Sequence, residues 1–199
     1  MSAFVELVEK RRSVYSLGTD SQYTKNEIEN RIREVVKQVP TAFNSQTTRV
    51  VVLFDEASNK FWDHIYDVQK DILEDGMKDW MSGVVNGAKN GIGTVLFFED
   101  LDAVNKMPTA GARTEAYKQN NNANAQYAVW LALTELGLGA NLQHFNIGYE
   151  QGFDKATREM FNLPETYEMI AQMPFGSIEQ EIGEKELIDS AVQVKVFDK

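Results

Sequence analysis

The chain has 199 residues, 20 Lys plus Arg against 30 Asp plus Glu, and no cysteine, for a formal net charge of −10 at pH 7. That length suits one domain with a sizeable core, residues 1–199, and the absence of cysteine excludes disulfide staples, thiolate metal sites and a cysteine nucleophile. The excess acid argues against a nucleic-acid binder, no apolar run approaches the ~20 residues of a membrane span, and MSAFVELVEKRRS lacks the order of a signal peptide, so the chain reads as cytoplasmic.

Residues 3–12 suggest a short amphipathic helix with Phe4, Leu7 and Val8 on one side. It runs into Arg11-Arg12-Ser13, two guanidiniums and a hydroxyl that can clamp a phosphate by charge-assisted hydrogen bonds; the triplet also suits a solvated helix end. Thr24 and Glu27 have capping-box spacing, and Ile28, Ile32, Val35, Val36 and Val39 form a helical stripe that Pro40 closes. The loop that follows carries Thr41, Ala42, Phe43, Asn44 and Gln46. An aromatic beside amide and hydroxyl groups suits a planar heteroaromatic ligand, though Asn and Ser also favour plain turns.

Val50–Phe54 reads as a buried strand of β-branched residues. A helix bearing Phe61, Ile65, Val68 and Ile72 follows. A second, around Met77–Val85, ends in a turn marked by Gly87, Gly91 and Gly93. Asn86 and Lys89 fall at that end, where a lysine could stabilise negative charge on a reduced ring or sit on a solvated helix end. Thr94–Phe98 is another buried strand, and the acid pairs Glu74-Asp75 and Glu99-Asp100 read as solvated turns.

Residues 105–124, with Asn120, Asn121, Asn122 and Asn124, read as a mobile surface segment or lid. From Ala125 through Ala128, Val129, Ala132, Leu133 and Leu136 the spacing predicts a strong helix, ended by Gly137 and Gly139. Its alanines suit close packing, as in a central helix shared with a partner subunit. The small residues before Leu142, Gln143 and His144 would let backbone approach a ligand closely. Asn141–Phe145 reads as a short strand, Asp154 as the cap of a helix to Phe161, and Tyr167–Met173 as a strand. Val192, Val194 and Val196 alternate with polar residues as in a half-exposed strand. The irregular alternation of strands and helices favours an α+β fold.

Common catalytic apparatus is scarce. There are two histidines, His64 and His144, and no HExxH, GxSxG, P-loop or GxGxxG pattern. His64, beside Trp62 and Tyr66, reads as a surface residue of an amphipathic helix. An enzyme so equipped would leave the hard chemistry to a bound cofactor.

The order of Arg11-Arg12-Ser13, Pro40 to Gln46 and Leu136-Gly137-Leu138-Gly139 resembles the nitroreductase family of flavin-dependent oxidoreductases, over nearly the whole chain. Thr94 to Asp100 resembles a hallmark of its short, fatty-acid-repression-mutant-like subgroup. The resemblance implies a nitroreductase-like α+β fold, an antiparallel-rich central sheet flanked by helices, in an intertwined homodimer with FMN at the subunit interface. It implies Arg11, Arg12 and Ser13 at the FMN phosphate and ring edge, with Lys185 as a second phosphate contact. Thr41, Ala42, Phe43 and Asn44 would come from the other subunit, and Gln46 would also bind the cofactor. Asn86 and Lys89 would face the pyrimidine end of the ring, and Leu142, Gln143 and His144 would lie near N5. The implied activity is two-electron ping-pong transfer from NADH or NADPH to nitroaromatic or quinone acceptors. The alternatives are a flavin-binding regulatory protein with incidental turnover, in lipid or stress signalling, and an acidic interaction domain without a cofactor. Tyr15 departs from the family, many members of which carry a basic residue there.

Overall fold

The computed structural model describes residues 2–146 and 153–198. Its elements in chain order are α1 (Ala3–Lys10), β1 (Leu17–Gly18), α2 (Lys25–Val36), β2 (Thr48–Phe54), α3 (Asp55–Gln69), α4 (Asp75–Lys89), β3 (Gly93–Asp100), α5 (Leu101–Val104), α6 (Ala112–Glu135), β4 (Gly139–Ala140), α7 (Phe153–Phe161), β5 (Tyr167–Ile178) and α8 (Ser190–Gln193). The strands form one antiparallel sheet in the order β1-β5-β3-β2, with β4 also paired to β5. This is the expected nitroreductase-like α+β architecture.

β3 is buried from Gly93 to Glu99, so its alternating side chains feed two cores. Val95 and Phe97 join Ile28, Ile32, Val129 and Leu133 of α2 and α6 on one face. Leu96 and Phe98 join Phe61, Trp62, Ile65, Met81 and Val85 of α3 and α4 on the other. Fully burying a Phe, Ile or Leu side chain contributes about 1.5–3 kcal/mol, which makes these two layers the main source of stability. α2 starts as its sequence predicts: Thr24 Oγ1 accepts from Glu27 N–H (3.2 Å), and Glu27 Oε2 accepts from Thr24 N–H (2.8 Å).

Several expectations need correction. Residues 112–124 are no surface lid; they are the first half of α6, a continuous 24-residue helix. Its buried face changes character midway, from Lys118, Asn121 and Asn122 to Ala125, Val129, Ala132 and Leu133. The apolar period therefore begins only at Ala125. Glu99 is not solvated but fully buried, at 0 % exposure. Asn141–Phe145 makes only an isolated bridge, Gln143 to Gln172, while the strand proper is Gly139–Ala140. Asp154 lies inside α7, where its Oδ2 accepts the Met169 N–H of β5 (2.9 Å).

Val192 belongs to the helical turn α8, and Val194 and Val196 follow it exposed and without strand partners among the described residues. Asp189 Oδ1 caps that turn by accepting from Ala191 N–H (2.9 Å). His64 is half-buried, edge-on to Phe153, and its Nε2 has no hydrogen-bond partner among the described residues. Burial lowers its pKa below the usual histidine value, against the pull of Asp67.

Candidate cofactor site

α1 ends where Arg11 N–H bonds the Leu7 carbonyl (3.1 Å), and the chain then extends along β4. Ser13 pairs with Ala140, Val14 N–H donates to Ala140 O (2.9 Å), and Asn141 Nδ2 donates to Val14 O (2.7 Å). Gly139 is required by this close approach: a Cβ there would lie 2.9 Å from the Val14 and Ile178 side chains. Gly137, at φ +75°, closes α6 with Leu138 N–H on Leu133 O (2.9 Å) and its own N–H on Thr134 O (3.0 Å). Thus the end of α6 fixes the backbone against which the basic triplet lies.

Arg11, Arg12 and Ser13 line a pocket of about 460 Å³ with Val14, Tyr15 and Ser16 on one side and residues 180–185, including Lys185, on the other. The Arg12 guanidinium donates to Gly183 O (2.5 Å). Arg11 stacks on the Trp130 ring of α6, 4.4 Å from its centroid. Among the described residues neither arginine nor Lys185 has a carboxylate partner. Glu181 and Glu184 also line the pocket, but three cations outside ion-pair distance of any described carboxylate, beside a hydroxyl, form a donor set suited to a phosphate monoester.

α4 meets the same segment, for a Cβ on Gly87 would come within 2.6 Å of the Tyr15 carbonyl. Asn86 is exposed beside it, and Lys89 pairs with Asp63 of α3. Gln143 is locked to β5: its N–H donates to Gln172 O (2.7 Å), and its carbonyl accepts from Gln172 N–H (2.9 Å). Antiparallel alternation turns the Leu142 and His144 amides the other way, and neither has a backbone acceptor among the described residues. The Leu142 side chain packs into the core, whereas His144 is exposed, with its pKa lowered by desolvation.

The loop after α2 stands apart from this pocket. Thr41, Asn44 and Gln46 line a separate hollow of about 230 Å³ with Arg49 and Ala125. Phe43, Asn44 and Gln46 all adopt positive φ (57°, 51° and 47°), a costly conformation for residues with a Cβ. Asn121 of α6 holds them there. Its Oδ1 accepts from Ala42 N–H (2.8 Å), and its Nδ2 donates to Ser45 Oγ (3.1 Å) and Thr47 Oγ1 (3.0 Å). Gln46 N–H bonds Thr41 Oγ1 (3.0 Å), and Phe43 projects outward, edge-on to Tyr117.

A second polar layer lies beneath. Glu99 Oε1 accepts from Thr48 Oγ1 (2.5 Å) and Asn122 Nδ2 (2.8 Å), while Glu99 Oε2 is buried without a partner among the described residues. Burial raises the Glu99 carboxyl above its ordinary pKa, against those hydrogen bonds. Burial also opposes the charge of Lys118, yet its pairs with Glu115 and Glu168 hold that ammonium above the usual lysine value.

A family model described as the nitroreductase family matches residues 8–177. The chain belongs to the nitroreductase family. Among yeast nitroreductase relatives, the Saccharomyces cerevisiae protein HBN1 is 30 % identical over 98 % of this chain and 97 % of its own length. The nitroreductase FRM2 of the same yeast is 23 % identical over 96 % of each, so the short subgroup is confirmed as well. The nitroreductase CinD from Lactococcus lactis, in complex with 4-nitrophenol, superposes with a TM-score of 0.83 at 36 % identity, over 98 % of this chain and 100 % of that one. Its chloramphenicol complex gives 0.85 at 34 % identity, over the same shares. The protein is accordingly a nitroreductase-type oxidoreductase.

The fold brings Arg11, Arg12, Ser13 and Lys185 to one pocket, with Leu142 to His144 extending the β4 segment that backs it. It does not bring Thr41, Asn44 or Gln46 there within one protomer. Sequence reading missed Trp130, Asn121 and Glu99. Trp130 was visible as the one tryptophan of an alanine-rich helix, but its partner Arg11, on a different helix end far back in the chain, was not.

Proposed function

We propose that the protein is an FMN-dependent NAD(P)H oxidoreductase that passes two electrons to nitroaromatic or quinone acceptors in a ping-pong cycle. The observation that carries this reading is the pocket of unpaired cations at Arg11, Arg12 and Lys185 in an acidic chain of nitroreductase fold. Bound FMN would supply hydride acceptance and donation at its ring. Arg11, Arg12, Ser13 and Lys185 would bind its phosphate end. The Leu142 and His144 amides, without backbone acceptors among the described residues, would donate to the ring edge near N5, and the Gln143–Gln172 pairing would keep that backbone fixed. Asn86 and Lys89 would serve the pyrimidine end; for Lys89 this requires exchanging its Asp63 partner. A cation there stabilises negative charge on the ring.

We infer a homodimer from the same surfaces. Val196 and Phe197 are 83 % and 89 % exposed, β2 ends the sheet with an edge unpaired among the described residues, and beside it Ile32, Val36, Val50, Val52 and Phe54 floor a groove of about 470 Å³ flanked by Arg33, Lys37 and Arg49. The separation of the Thr41–Gln46 loop from the cationic pocket supports a site completed by that loop from the partner. Small-molecule acceptors suit the modest pocket; the complex of CinD with 4-nitrophenol supports a nitroaromatic. None of the described helices is long and apolar enough to cross a membrane, which agrees with a cytoplasmic enzyme.

The decisive experiment is the absorbance spectrum of the purified chain during anaerobic titration with NADH and with NADPH, followed by addition of 4-nitrophenol. Flavin bands that bleach with one nucleotide and return with acceptor are expected. A colourless protein that takes up no FMN would overturn the reading.

A further inference from the structure

We propose that Trp130 is a positioning residue for the phosphate end of the flavin nucleotide, acting through Arg11; this rests on the FMN reading above. The Arg11 guanidinium lies 4.4 Å from the Trp130 ring centroid, and indole is the best aromatic partner for a cation. The contact spends no hydrogen-bond acceptor, and the Arg11 guanidinium donates no hydrogen bond among the described residues, so its N–H groups can serve an anion. An ion pair with a carboxylate would have consumed those donors and the charge. In a chain with 30 acidic residues, Arg11 meets an aromatic face and no carboxylate among the described residues.

The setting is rigid on the tryptophan side and loose on the arginine side. Trp130 sits within α6, half-buried against the core that contains Val129 and Leu133. Arg11 follows the last turn of α1, a helix with no buried residue, and would otherwise sample many rotamers. Holding it on a fixed plate removes part of the ordering cost when an anion binds. The Trp130 Nε1–H is buried without a hydrogen-bond partner among the described residues, a cost that Phe or Leu at this position would avoid. Packing alone does not favour tryptophan here; the π face offered to Arg11 does.

The test compares FMN with riboflavin, which lacks the phosphate, on the flavin-free full chain, with affinities read from flavin fluorescence quenching. Trp130→Leu should weaken FMN by roughly 3- to 30-fold, the range of a cation–π contact, and leave riboflavin within about twofold. Trp130→Phe, which keeps a π face, should retain most FMN affinity. Equal losses for both flavins, or no loss of FMN affinity, would overturn the proposal. Should Trp130→Leu fail to fold, Trp130→Met offers a longer, flexible apolar side chain without a π face and carries the same expectation. A wild-type chain that binds neither flavin sinks the FMN reading and this proposal together. A wild type that binds FMN tightly beside a Leu variant that matches it sinks only the proposal.

Discussion

Replacing Asn121 with alanine should release the strained loop that presents Phe43. The carboxamide is 1 % exposed and makes three hydrogen bonds, to Ala42 N–H, Ser45 Oγ and Thr47 Oγ1. A buried neutral hydrogen bond contributes about 1 kcal/mol, and a stranded partner adds to the loss, so the substitution should cost about 2–4 kcal/mol. Thr47, at 0 % exposure, cannot turn to water for compensation. The three left-handed residues it restrains store strain of about 1–2 kcal/mol each, comparable with the bonds that hold them. For a chain of this size the melting temperature should fall by about 4–16 °C. The Ala42 amide should also exchange at least about tenfold faster, by the same free-energy arithmetic. Asn124→Ala is the control, because its one bond, Nδ2 to Pro40 O (3.2 Å), is exposed. Calorimetry and amide exchange read both effects. A melting temperature within about 1 °C of wild type, with Ala42 still protected, would refute the brace.

Glu99→Gln should change the pH dependence of stability. Because burial raises this carboxyl, folding takes up a proton; that contribution is full below the unfolded value and is lost as pH rises through the folded one. The variant should therefore gain on wild type from about pH 4.5 upward, as urea melts at several pH values would show; a constant difference would refute it. Gly176→Ala places a Cβ 2.2 Å from the Gly18 carbonyl, backbone against backbone, and should cost about 1–3 kcal/mol or more in the same melts. Lys89→Ala removes an exposed pair with Asp63 and should leave stability within about 1 kcal/mol, yet lower the reduction potential of bound flavin. An unchanged potential with FMN bound would remove Lys89 from the site.

What the sequence disclosed followed from how local its signals were. The capping box at Thr24 and the stripe to Val36 are written within one helix, and α2 forms where they stand. The uniform apolarity of Thr94–Phe98 announced a strand covered on both faces, as β3 is. Polar burial was illegible. Asn121, Asn122 and Glu99 look like solvent-facing residues until the sheet and the Thr41–Thr47 loop close over them, through bonds that span 23, 51 and 79 positions. Val192 to Val196 show the opposite failure. Their alternation is a strand pattern, but a strand needs a neighbour, and one protomer supplies none. In the candidate site, the basic triplet was visible because it is contiguous. The stacking of Arg11 on Trp130 was not, because periodicity within α6 says nothing about what lies across from it.

The uninterrupted course of α6 ties together two fixtures that the chain keeps far apart. Asn121 secures the loop and Trp130 secures Arg11, and a separation of nine positions sets these mounts about 14 Å apart along a single stiff shaft. Neither can be shifted alone without bending that shaft. Retuning the hold on Arg11 would thus disturb the loop that the same protomer presents elsewhere, which makes α6 a poor place for variation and leaves the surface loops to adapt.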